Sequence, residues 1–75
     1  MPVYVDKLRD KKWCHLMADS IDELETFART MGLHPAWYQS KSYPHYDLTG
    51  RRRIQAVKLG AIEITDKELV KLIRK

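Results

Sequence analysis

The sequence predicts a small α/β domain: a mixed sheet of about three strands with three helices packed on it, in the order ββα(loop)αβα. Three observations lead there. Apolar residues alternate in Val3-Tyr4-Val5 and again from Trp13 to Asp19, as in strands. Later they recur at helical spacing. Ser20-Ile21-Asp22-Glu23 and Thr65-Asp66-Lys67-Glu68 are capping boxes that each open a helix.

The first strand covers Val3 to Val5, bounded by Pro2 and Asp6. A charged connection, Lys7 to Lys12, leads into a second strand, Trp13 to Asp19, and its shortness implies an antiparallel pair. Side-chain alternation then puts Trp13, His15, Met17 and Asp19 on one face, and Cys14, Leu16 and Ala18 on the other. Ser20 caps a helix whose stripe is Ile21, Leu24, Phe27, Ala28 and Met31. Gly32 ends it in a left-handed conformation, so that Leu33 folds back on the last turn. His34 to Gln39 fits one further turn with Pro35 at its first position. Ser40 to Tyr43 has no period and reads as loop, and Pro44 holds Tyr43 extended. Asp47 or Thr49 caps a second helix that carries Ile54, Ala56 and Val57 inward and stops at Gly60. Ala61 to Ile64 is a third strand, reached by a crossover of the usual right hand. The last helix carries Leu69, Val70, Leu72 and Ile73 on one face, and Lys71, Arg74 and Lys75 suit its C-terminal end.

Residues 1–75 make a single domain, which buries only roughly 60% of its unfolded surface. One cysteine, Cys14, excludes an intrachain disulfide and a cysteine-based zinc site. With no staple, self-association is the expected way to bury more apolar surface, and the short sheet's edges invite it. A homo-oligomer is therefore expected. A lone thiol suits a reducing interior. No apolar run approaches the ~20 residues of a membrane span, and the N-terminus lacks the basic start and apolar core of a signal peptide. A cytoplasmic protein with no membrane partner is expected. The net charge of +4 favours anionic partners, but 14 basic residues are interspersed with 10 acidic ones, too mixed to diagnose nucleic-acid binding.

The densest stretch of chemistry is His45-Tyr46-Asp47-Leu48-Thr49-Gly50-Arg51-Arg52-Arg53. With Thr49 as cap, Gly50, Arg51 and Arg52 occupy a helix's first turn, where partial positive charge makes cations cost about 0.3–1 kcal/mol each. The other two helices begin with Asp22 and Glu23, and with Asp66 and Glu68. A bound anion reverses that penalty, and a phosphate matches the arginine fork. His45, Tyr46, Thr49, Arg51, Arg52 and Arg53 are the candidate ligand-binding residues. The plain alternative is three solvated arginines at a surface turn.

His15, Asp19, His45 and Asp47 form a second group, able in principle to act as general acid and base on a phosphoester. Their spacing lacks the His-x-x-x-His signature, so no metal ligands and no cofactor are expected. Structural roles account for them equally well: Asp47 as a cap, Asp19 as a strand end, His15 in the core, His45 orienting the loop. Among Trp13, Trp37, Tyr38, Tyr43 and Tyr46, most supply core bulk. Tyr46 and Trp37 are the choices for stacking on a base. Cys14 reads as a buried small hydrophobe. Without a Walker or dinucleotide glycine pattern, a common ATP or NAD fold is not expected.

Met1-Pro2-Val3-Tyr4-Val5-Asp6, Trp13-Cys14-His15-Leu16 with Asp19, His45-Tyr46-Asp47-Leu48, Arg52-Arg53 with Ala56-Val57, and Gly60-Ala61 together resemble domain-of-unknown-function family number 4031 of bacteria and their phages. The resemblance spans nearly the whole chain, treats these blocks as one module and assigns no role to any residue.

The leading expectation is a phosphate-binding, more specifically nucleotide-binding, module that works as an oligomer and is not an enzyme. The resemblance extends it to sequestering a nucleotide in a phage or bacterial setting. The alternatives are a nucleic-acid-binding or protein-inhibitor module using the basic helix, and a small phosphoester hydrolase built on His15, Asp19, His45 and Asp47.

Overall fold

Five strands, rather than about three, join into one mixed sheet. The computed structural model describes residues 2–40 and 43–73. Its elements are β1 (Val3–Val5), β2 (Trp13–Ala18), α1 (Ile21–Met31), a 3-10 turn (Pro35–Trp37), β3 (Tyr38–Gln39), β4 (His45–Thr49), α2 (Gly50–Lys58), β5 (Ile62–Glu63) and α3 (Asp66–Ile73). The strand order is β3-β4-β2-β1-β5. β1 and β5 run parallel, and the other three pairings are antiparallel.

The two added strands, β3 and β4, come from the end of the expected further turn and from the run expected to lead into the second helix. Tyr46 and Leu48 alternate with His45, Asp47 and Thr49. From Tyr46 on the burial follows that period, with Tyr46 and Leu48 buried and Asp47 and Thr49 exposed, while His45 is buried on the other face. A period of two is a strand signal even when half its members are polar. β4 pairs with β2 along Trp13↔Thr49, Cys14↔Leu48, His15↔Asp47 and Leu16↔Tyr46. Asp47 therefore sits in mid-strand and caps nothing. Thr49 is the cap of α2, its hydroxyl accepting from the Arg52 N–H at 3.3 Å.

The other helix ends follow their local chemistry. Ser20 Oγ accepts from Glu23 N. Gly32 adopts φ +75°, and the Leu33 N–H bonds back to the Ala28 carbonyl, which buries Leu33. The Thr65 box closes both ways: Glu68 N donates to Thr65 Oγ1, and Thr65 N donates to Glu68 Oε1. These contacts hold the Glu68 carboxyl below its ordinary range. Pro35 opens its 3-10 turn as expected, with His34 Nδ1 accepting from Ala36 N. The expected loop residues Lys41 and Ser42 and the helix-ending Arg74 and Lys75 lie outside the described residues.

The pleat divides the sheet into two unlike faces. Val3, Val5, Cys14, Leu16, Tyr46 and Leu48 face α1 and α2 and pack with Leu24, Ala28, Met31, Leu33 and Ala56 in the main core. Each fully buried Leu or Val there is worth about 1.5–3 kcal/mol. Cys14 belongs to this dry layer, and burial pushes its thiol up to about 12. The opposite face carries a smaller cluster in which Met17 meets Ile64 and Leu69 of the α3 region, with Tyr4, Tyr43 and Leu72 against it. His15 and Asp47 lie on that face beyond Met17. Among the described residues, no helix is long and apolar enough to cross a membrane.

Candidate functional site

The site begins with Asp6, the residue that follows β1. Its side chain is 0% exposed, yet it accepts three hydrogen bonds: from His15 N at 2.6 Å, from His15 Nδ1 at 2.7 Å and from an Arg9 guanidinium nitrogen at 3.0 Å. Burial pushes the Asp6 carboxyl up, but the His15 ring and N–H and the Arg9 guanidinium outweigh it, and the group ends below its usual range. Asp6 is thus a buried carboxylate. Arg9 also reaches Asp66 at 3.4 Å, tying the start of α3 to the same corner.

A tight hairpin brings Arg9 back. Asp10 and Lys11 adopt φ +53° and +58°, both in the left-handed region, within the three-residue loop 10–12 that reverses the chain. Arg9 then bridges Trp13. Between this bridge and the Val5↔Leu16 pair the register shifts by one. Lys7 and Leu8 thereby oppose Cys14 alone, an arrangement of the bulge kind. Asp6 lies before the shift and continues the β1–β2 register, which sets it beside His15.

Across β2, His15 faces Asp47 in register, and His45 lies two residues back along β4 on the same side. The donor atoms of His15, His45 and Asp47 all lie within 4.8 Å of one another. The two imidazoles meet edge to face, with centroids 5.2 Å apart. Each has one ring nitrogen already engaged. His15 Nδ1 bonds to the Asp6 carboxylate, and His45 Nδ1 lies 2.8 Å from the Tyr43 carbonyl oxygen. A carbonyl can only accept, so His45 Nδ1 carries a proton. His45 Nε2 then faces Asp47 Oδ1 at 3.6 Å, and the other Asp47 oxygen accepts from Gln39 Nε2 at 2.7 Å. Trp13 packs edge-on against His15, and Tyr43 lies against His45, walling the pair with aromatic surface.

Asp19 does not join this group. It stands four residues along the chain from His15, about 13 Å at strand rise, takes the Tyr4 hydroxyl at 3.4 Å, and lines a separate cavity of about 350 Å³ beside Tyr43 and Leu72.

The arginines, expected to act as one cluster, are divided. Arg53 turns inward, its Nε donating to the Asp6 carbonyl and a terminal nitrogen to Glu63, both at 2.9 Å. Arg51 is exposed. Arg52 lies over the Trp37 ring at 5.1 Å. Among the described residues, neither Arg51 nor Arg52 is in an ion pair. Arg52 and Trp37, with Ala36, Gln39, Asp47 and Thr49, line a groove of about 470 Å³. Tyr46 faces the other side of the sheet from His45, buried in the main core with Tyr38 edge-on against it.

Asp6, Arg9 and Gln39 hold the site together, and the sequence reading had given them no such role. Asp6 had a signal: it continues the alternation of β1 on Tyr4's side. The bulge hid its partner, because counting back from the hairpin turn pairs Asp6 with Leu16 instead of His15.

The comparisons with known proteins add a family and no activity. The family model described as "Protein of unknown function (DUF4031)" matches residues 3–75, and the chain belongs to that family. No curated protein and no solved structure matches the chain.

Proposed function

We propose that this DUF4031 member is a binding module for a phosphate-bearing ligand with a planar ring, a nucleotide being the simplest, held in the groove between the 3-10 turn and the start of α2. One observation carries the reading: Arg52, in no ion pair among the described residues, and the Trp37 ring flank one groove that opens at a helix start with no acidic residue in its first turn. A guanidinium and free helix N–H groups suit phosphate. An indole, 44% exposed, suits a base. Of the residues expected to bind, Thr49 and Arg52 line the groove together with Trp37, one of the two residues expected to stack on a base. Arg51, exposed on the same first turn, is kept with them. Self-association belongs to the proposal too, supported by Ile62, half exposed on the edge strand β5.

A thermal-shift series tests the reading. Millimolar nucleoside mono- and triphosphates are expected to raise the melting temperature by a few degrees at modest salt, and the matching nucleosides are not. The rise should be lost in Arg52→Ala and Trp37→Ala. Equal stabilisation of wild type and Arg52→Ala, or none by any nucleotide, overturns it.

A second reading, a phosphoester hydrolase, is favoured by the meeting of His15, His45 and Asp47, because Asp47 lines both that cluster and the groove. It requires release of phosphate from a bound nucleotide that stops in His45→Ala while folding persists.

A further inference from the structure

We propose that His15, His45 and Asp47 form a binding site for a divalent first-row transition metal ion of the zinc or ferrous type, with at least one coordination position left open. Two imidazole nitrogens and one carboxylate on one side of an ion are the donor set of open, reactive metal sites.

The surroundings of the three donors carry the argument further than their proximity does. In metal sites, each ligating side chain is held by an outer partner that fixes its orientation and its protonation. All three donors here have one. The buried Asp6 carboxylate takes His15 Nδ1, the Tyr43 carbonyl takes the His45 Nδ1 proton, and Gln39 donates to Asp47. With its Nδ1 occupied, each ring is left with Nε2 as the nitrogen that can offer a lone pair. Asp47 presents its remaining oxygen to the same space. One donor atom from each residue lies within 4.8 Å of the other two, a gathering of electron-pair donors that a cation between them would stabilise.

Size agrees. Around a tetrahedral ion with bonds of about 2.0–2.1 Å, donors lie about 3.3 Å apart. The present spread of up to 4.8 Å closes to that through a small rotation of the Asp47 side chain, 43% exposed, about its Gln39 hydrogen bond. The aromatic walls of Trp13 and Tyr43 limit water on one side, while the Asp47 side opens to the Trp37–Arg52 groove. The competing arrangement is a protonated His45 paired with Asp47, which needs no metal and gives no metal specificity.

Cobalt(II) and zinc(II) are direct probes, used on the full chain stripped with chelator. Titration with Co²⁺ is expected to produce visible d–d absorption that saturates at one ion per chain and is displaced by Zn²⁺. Asp47→Asn and His45→Ala should each weaken Zn²⁺ binding at least 100-fold in calorimetry, and Gln39→Ala, which removes only an outer partner, about 10-fold. Circular dichroism identifies any variant that fails to fold. Asp47, mostly outside the core, keeps the test decisive if His45→Ala is unstable. Absence of saturable Co²⁺ absorption at 100 µM metal overturns the site, as does unchanged Zn²⁺ affinity in a folded Asp47→Asn. The outcome is separate from the nucleotide reading, which is tested without metal through Arg52 and Trp37.

Discussion

The two faces of the β2–β4 ladder are built from the same two strands and do opposite things. On one, Cys14, Leu16, Tyr46 and Leu48 close against α1 and α2 with little solvent left, and burial keeps the thiol protonated even with the Arg53 guanidinium beside it. On the other, α3 covers only the Met17 end. The uncovered end holds His15, His45 and Asp47, each held through one polar atom by a specific partner. The difference teaches how a chain this small can afford a site. A single dry layer supplies the stability, and the opposite side of the same strands is then available for chemistry, with the pleat alone separating the two.

Breaking the dry face is expected to have the largest effect. Leu16→Ala removes a side chain that is 0% exposed and should cost about 2–5 kcal/mol. That is a large share of what a domain of this size possesses. Asp47→Ala, one position away in the facing strand but on the open face, should cost less than about 1 kcal/mol. Urea denaturation of the two variants checks the contrast. Equal losses would mean that the open face bears as much of the fold as the closed one.

Asp6 sharpens the comparison because it is a buried charge on the polar side. Asp6→Asn keeps the shape but removes the charge that His15 and Arg9 share, at an expected cost of about 1.5–3 kcal/mol near pH 7. The sign of the pH dependence follows from the lowered carboxyl. A group whose folded value lies below its unfolded value contributes fully above the unfolded value, about 3.9 for Asp. The contribution fades as pH falls through the folded value. The gap in stability between wild type and Asp6→Asn should therefore be widest at neutral pH and close on acidification below about pH 4. Urea titrations from pH 7 to pH 2 measure it. A gap that does not change with pH would leave Asp6 without its ionic role.

Much of this was legible in the residues, for local reasons. The Ser20 and Thr65 caps, the left-handed stop at Gly32 and the turn opened by Pro35 depend on neighbours within a few positions and are present, and of the two caps read for α2 Thr49 is the one used. β4 was less legible because its density of polar groups resembled a loop, although Tyr46 and Leu48 kept the strand period. The site was half legible. His15, His45 and Asp47 stood out by residue type, but their meeting depends on the pairing of distant strands. Asp6 was hidden by a one-residue shift that no local pattern announces. The arginines looked like one feature only because they are consecutive. At about 100° per residue on a helix, three neighbours must point in three directions.

That dispersal gives the last and smallest contrast. Arg53 points from α2 to the Asp6 carbonyl and Glu63, so it ties the closed side of the sheet to the corner that supports His15. Arg51 is exposed, with no ion pair among the described residues. Arg53→Ala removes one hydrogen bond to a largely shielded carbonyl and one to an exposed carboxylate, whose screened charge adds little. A loss of about 1 kcal/mol is expected. Arg51→Ala should stay within about 0.5 kcal/mol of wild type. Paired thermal and urea unfolding of the two variants measures the difference. If Arg51→Ala proves the more damaging, the outward arginine is a structural member after all, and the assignment of Arg51 to an anion and Arg53 to the fold must be reversed.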